Sequence, residues 1–150
     1  MRACSLIGPL PDGRAAAVRA GLRAAGYALS DYRLDRPGPG DVLVCWSRRR
    51  PGDVEQAAAV ERGGGTVLVA ENGWLGKNWR GTPWMALSRG HHHGAGYWPL
   101  GSAARWDGWG VETAPWRDGG DEAVILAQRG IGEAGLACPR DWAALTQRLH

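Results

Sequence analysis

Residues 41–70 read DVLVCWSRRRPGDVEQAAAVERGGGTVLVA. The stretch opens on Asp41–Trp46 and closes on Thr66–Ala70, two short runs that are apolar without alternation. A strand apolar on both sides is one covered on both sides, as in the interior of a parallel sheet. Between them Asp53 stands where a helix N-cap belongs, ahead of Val54, Ala57, Ala58 and Val60, and Gly63-Gly64-Gly65 stops the helix. Strand, helix and strand in that order predict a parallel crossover unit.

The same order precedes it. Ala3–Ile7 predicts a first buried strand, ended by Gly8-Pro9. Asp12 is the expected N-cap of a helix in which Ala15, Val18, Leu22 and Ala25 recur at helical spacing, with Arg14, Arg19 and Arg23 off that line. Gly26 ends the helix, Tyr27–Leu34 predicts a second strand, and the Pro/Gly cluster at 36–40 turns the chain into the third. The expected fold class is α/β: a Rossmann-like parallel sheet of four or five strands with flanking helices. Ligands of such sheets sit beyond the carboxyl ends of the strands. That topology gathers the loops 8–12, 33–38, 47–51 and 71–77, and with them Asp12, Arg48 and Glu71.

Composition narrows the class. A chain of 150 residues is long enough for one α/β domain and too short for two complete ones. No apolar run approaches the roughly 18 residues of a membrane span, and the first apolar stretch is short for a secretory signal, so a cytoplasmic protein without a membrane span is expected. Net charge is +3, with Lys77 the single lysine. Such a balance permits anionic partners without requiring them. The dense basic run Arg48-Arg49-Arg50 has two readings, a solvated loop or a phosphate or nucleic-acid contact. Cys4, Cys45 and Cys138 are widely spaced, which predicts buried thiols and no zinc site. Nine tryptophans and no phenylalanine are unusual. Core filling and a stacking surface for sugar or base rings both remain open.

After Gly73 the pattern loosens. A Gly/Trp-rich insert, 73–116, contains an expected strand at Pro83–Ser88, the run His91-His92-His93, a short helix at 101–106 capped by Ser102, and a strand at Val111–Ala114. Arg117–Asp121 reads as a linker. A second unit then starts with the strand Glu122–Gln128, a glycine loop and a helix opened by Pro139. The expected division is 1–118 and 119–150.

Three constellations bear on chemistry. QRGIGEAG, Gln128–Gly135, lies between a strand and a helix, where backbone N–H groups can meet a phosphate; its spacing matches neither a GxGxxG fingerprint nor a Walker loop, and an ordinary connection is the other reading. His91-His92-His93, followed by Gly94 and Gly96, supplies a general base, a phosphate donor or plain loop residues; metal binding would need ligands from elsewhere. Glu71-Asn72-Gly73 ends a buried strand, where a carboxylate serves either as a base or as a cap for the next turn.

VLVAENGWLG, HHHGAGYWP, RWDGWGVETAPW and VILAQRGIGEAG together resemble a group of bacteriophage and prophage proteins described as glycosyltransferase-like or capsule-polysaccharide-biosynthesis-like. The resemblance covers about residues 41–142. It implies a two-domain GT-B architecture, with the acceptor and the base on the first Rossmann-like half and a nucleotide sugar on the second. No cofactor or metal is implied beyond that donor substrate. Carried over by position, Glu71 or His92 is the base and Gln128, Arg129, Gly130 and Gly132 face the donor phosphates; Asp12, Asn72, His91, Gly94 and Gly96 are further substrate- or phosphate-binding candidates read from the residues themselves. The acceptor is a polysaccharide or a modified DNA base. The second half here is one strand, loop and helix, against roughly 100 residues or more for a complete domain. The resemblance therefore implies a fragment, a split gene product or a shortened member, with a partner chain or a second copy completing the cleft. A non-catalytic module binding nucleic acid or glycan through Trp and Arg is the alternative.

Overall fold

A computed structural model describes residues 1–8, 13–30, 33–73, 78–92, 95–116 and 119–120. The chain divides into two compact units, Met1–Trp98 and Pro99–His150.

The first unit is α/β. Among the described residues its sheet has five strands: β1 (Arg2–Ser5), β2 (Ala28–Ser30), β3 (Val42–Trp46), β4 (Thr66–Asn72) and, later in the chain, β7 (Met85–Arg89). Their order is β2-β1-β3-β4-β7. The first four are parallel and β7 is antiparallel to β4, with Asn72 opposite Met85 and Leu68 opposite Arg89. The expected Rossmann-like parallel sheet is present, closed on one side by a reversed strand. Between β4 and β7 lies a hairpin, β5 (Asn78–Trp79) and β6 (Thr82–Pro83). Its turn residues Arg80 and Gly81 both have positive φ, 47° and 77°, as a tight I′ connection requires.

Helix α1 (Arg14–Ala24) covers one face and α2 (Pro51–Arg62) belongs to the other. Alternation along the strands sorts the core accordingly. Ala3, Ile7, Val42, Val44 and Ala70 pack with Ala15, Val18 and Leu22 of α1. Cys4, Leu43, Cys45, Val67 and Val69 pack with Ala57 and Val60 of α2. Cys4 and Cys45 are both buried, as expected. Burial, reinforced by Asp53, pushes the Cys45 thiol up to about 11, so it is a poor nucleophile.

Local starts differ from the sequence reading in physically clear ways. Helix α2 begins at Pro51 with Arg50 in extended conformation before it; Asp53 sits inside the first turn and makes no capping bond. Proline suits that first position because the N–H it lacks has no helical partner there. Strand β2 is three residues long in place of the expected eight, and Leu34, at the far end of that expected strand, is buried on the α2 side. The connection that follows is tied down twice. Gln56 Nε2 donates to Leu34 O at 3.2 Å, and the Asp41 carboxylate accepts from Arg2 N at 3.0 Å, from Arg2 Nη2 at 2.5 Å and from Gly38 N at 3.1 Å. These donors, Arg2 foremost, hold the Asp41 carboxyl down at about 2.

In the second unit, α3 spans Ala104–Trp109 with Ala103 as its N-cap, one residue beyond the expected cap Ser102. Its Trp106 and Trp109 meet edge to face at 6.4 Å. Val111–Ala114 forms no strand. No helix among the described residues is long and apolar enough to cross a membrane.

Candidate functional site

The strand order reverses between β1 and β3: the chain leaves β1 toward β2 and later returns to the other side of β1. The crevice outside the carboxyl ends at such a switch point is where ligands of open α/β sheets bind. The side chains gathered there begin with Arg14.

Arg14 is the first residue of α1, entered through Gly13 in the left-handed conformation (φ 79°), which glycine adopts without strain. It is 3% exposed. Its guanidinium carbon lies 5.4 Å from the centre of the Trp46 ring at the end of β3. Nη1 donates to Asn72 Oδ1 at 3.3 Å and to Trp84 O at 3.5 Å. The sequence set Arg14 off the apolar line of α1. The structure places it on that line, since 14, 18 and 22 are four apart and share a face. A buried guanidinium costs much unless charge and donors are met. The indole face and the two oxygens supply that compensation. No motif announces Arg14; the available signal was the i, i+4 spacing to Val18 and Leu22.

Trp84 completes the cluster. A Cβ added at Gly73 would stand 2.5 Å from three carbons of the Trp84 six-membered ring, so the indole lies directly against the glycine backbone. Only glycine permits this approach at the tip of β4. Trp46 and Trp84 are both half-buried, and Asn72 is exposed.

Glu71 and Asn72 both sit at the carboxyl end of β4, where the sequence set them. Glu71 is half-buried, and its Oε1 accepts from Asn72 N at 2.9 Å. Alternation puts Glu71 on the α2 side with Val67 and Val69, and Asn72 on the α1 side with Leu68 and Ala70.

The histidines form a separate cluster. Gly90 N donates to Val67 O, so the turn that carries them starts level with Val67. Glu71 lies four residues further along β4, roughly 13 Å at 3.3 Å per residue. His91 and His92 are buried and stacked at 4.3 Å with 26° between planes. Ser88 Oγ donates to His91 O. Gly96 fits tightly here: its added Cβ would meet His91 O at 2.1 Å and Ser88 at 2.8 Å. His91, His92 and Gly96 thus stand together, apart from Glu71 and Asn72 along the strand.

Arg48 is anchored away from the carboxyl edge. Ser47 and Arg48 both have positive φ, 62° and 44°, which turns the chain back. The Arg48 guanidinium pairs with Glu61 at 2.7 and 2.9 Å and donates to Gly90 O at 2.7 Å. It ties α2 to the histidine turn, in place of the expected proximity to Glu71. Arg49 and Arg50 are exposed, and Arg49 Nη2 stands 3.4 Å from Ser47 Oγ.

Asp12, Gly94, Gln128, Arg129, Gly130 and Gly132 lie outside the described residues, as does Cys138. Among the described residues no group of three His, Cys, Asp or Glu side chains is placed to hold a metal ion. Compared with protein-family models, with curated proteins and with solved structures, the chain matches none.

Proposed function

We propose that this chain is the acceptor-side half of a GT-B-like glycosyltransferase, moving a sugar from a nucleotide donor to a hydroxyl-bearing acceptor. The observation that carries the reading is the position of Glu71, a half-buried carboxylate at the carboxyl end of β4, next in sequence to Asn72, which joins Arg14, Trp46 and Trp84 on the opposite face of the sheet. The resemblance to phage glycosyltransferase-like proteins supports it independently.

In this reading Glu71 removes the proton from the acceptor hydroxyl as that oxygen attacks the anomeric carbon of the donor, and the nucleotide phosphate departs with the bond electrons. One carboxylate oxygen is held by Asn72 N, which leaves Oε2 to accept the proton. The buried, stacked His92 is the poorer base of the two, because its ring is shielded from the edge where substrate arrives. The donor belongs to the second half, through Gln128–Gly135 or a partner chain. The acceptor remains a polysaccharide or a modified DNA base at this level of the reading.

The test is transfer from a panel of nucleotide sugars to glycan and DNA acceptors, with thermal unfolding measured on the same panel. Glu71→Gln should abolish transfer while leaving unfolding unchanged, and His92→Gln should retain transfer. A donor at about 100 times its dissociation constant should stabilise the chain by about 2.7 kcal/mol. Wild-type transfer surviving in Glu71→Gln would defeat the assignment.

A further inference from the structure

The acceptor's chemistry can be narrowed from the α1 side of the carboxyl edge. We infer that this side is a subsite for an uncharged, hydroxyl-rich ring, with Trp84 as its stacking face, the Asn72 amide as its hydroxyl contact, and Arg14 as the positioning residue that fixes both. The inference rests on the placement of the acceptor at this edge.

A lone arginine at a switch point suggests a phosphate at first sight. The geometry argues otherwise. Arg14 is 3% exposed, with its guanidinium over Trp46 and its Nη1 directed at Asn72 Oδ1 and Trp84 O. Its charge is spent inside the protein.

What the edge does offer is matched to a sugar. A guanidinium can only donate, so Asn72 must turn its oxygen toward Arg14. The amide NH2 of the exposed Asn72 then faces away from Arg14, as a donor to a hydroxyl oxygen. Arg14 in this way decides which end of the amide is presented. The Trp84 main chain is held by the same guanidinium, and its ring is backed by Gly73. A half-buried indole with one side supported is an apolar platform with a polar rim, suited to the C–H face of a sugar ring. Nucleobases also stack on indoles, but nucleic acid brings phosphates, and its binding would depend steeply on salt.

The experiment is an NMR titration of the 150-residue chain, following the Trp84 indole N–H and the Asn72 side-chain NH2. The probes are maltotriose, cellotriose and chitotriose, with inorganic pyrophosphate and oligothymidylate as anionic comparisons. At least one trisaccharide should shift both signals, and the anionic probes should not. Asn72→Ala changes an exposed side chain and should weaken that trisaccharide about tenfold, the loss of one hydrogen bond to a neutral group. Arg14→Lys keeps the charge but loses the fork; it should weaken the trisaccharide and shift the Asn72 side-chain NH2 signals, while the backbone spectrum stays folded. Glycan binding without transfer from any donor leaves the subsite standing and removes the transferase reading. Shifts produced by pyrophosphate or oligothymidylate instead of glycans, or no response to any glycan, would overturn the inference.

Discussion

The contact between Gly73 and Trp84 yields a prediction with a built-in control. In Gly73→Ala the new methyl would stand 2.5 Å from three ring carbons of Trp84, where ordinary contact begins at 3.4 Å. The indole must therefore retreat by about 1 Å or swing off the strand tip. Overpacking of this size costs about 1–3 kcal/mol, offset in part by about 0.4–1 kcal/mol from the smaller entropy of the unfolded chain. The net expectation is a loss of about 1–2 kcal/mol, a fall in Tm of roughly 4 °C per kcal/mol for a chain of this size. Backbone strain does not enter, because Gly73 is not among the positive-φ glycines. The assay is a double-mutant cycle in urea. Trp84→Ala removes the obstacle, so Gly73→Ala on that background should be neutral or slightly stabilising. The two changes should thus couple by about 1 kcal/mol or more, well beyond the scatter of independent sites. If Gly73→Ala costs the same with and without the indole, Trp84 does not lie on β4 in solution, and the stacking subsite falls with it.

Two further glycines should respond in opposite directions. At Gly63, the end of α2, a Cβ would lie 2.1 Å from Pro37 O, a backbone atom that cannot give way cheaply, so Gly63→Ala should lower stability by about 1–3 kcal/mol in chemical denaturation. At Gly21, inside α1, nothing lies within 4 Å, and Gly21→Ala should raise stability by up to about 1 kcal/mol. The Asp41 carboxyl is lowered from 3.8 to about 2 by its bond with Arg2, so its contribution is complete above about pH 4 and disappears as pH falls through about 2. Stability measured from pH 5 to pH 2 should drop more steeply in the wild type than in Asp41→Asn. A parallel pair of curves would show that the Arg2–Asp41 clasp does not persist in solution.

The parallel sheet was legible because its signal is local. Val42–Trp46 and Thr66–Ala70 are apolar on both sides, and the helix between them is stopped by three glycines, although its start is at Pro51 and not after the expected cap Asp53. Burial on both faces and backbone stiffness are written in consecutive residues, so no knowledge of distant partners was needed. Glu71 and Asn72 were legible for the same reason, standing at the end of such a strand. Arg14 was not, because its role depends on Trp46, Asn72 and Trp84, 32 to 70 residues away, meeting at one strand edge. The sequence also set Arg48 beside Glu71 by topology alone. Only the fold decided that two left-handed residues turn it back to Glu61 and Gly90. Composition and periodicity determined that this chain makes an α/β sheet with a carboxyl edge. Which charges remain available at that edge was decided by tertiary packing, because a guanidinium is defined chemically by the groups that surround it.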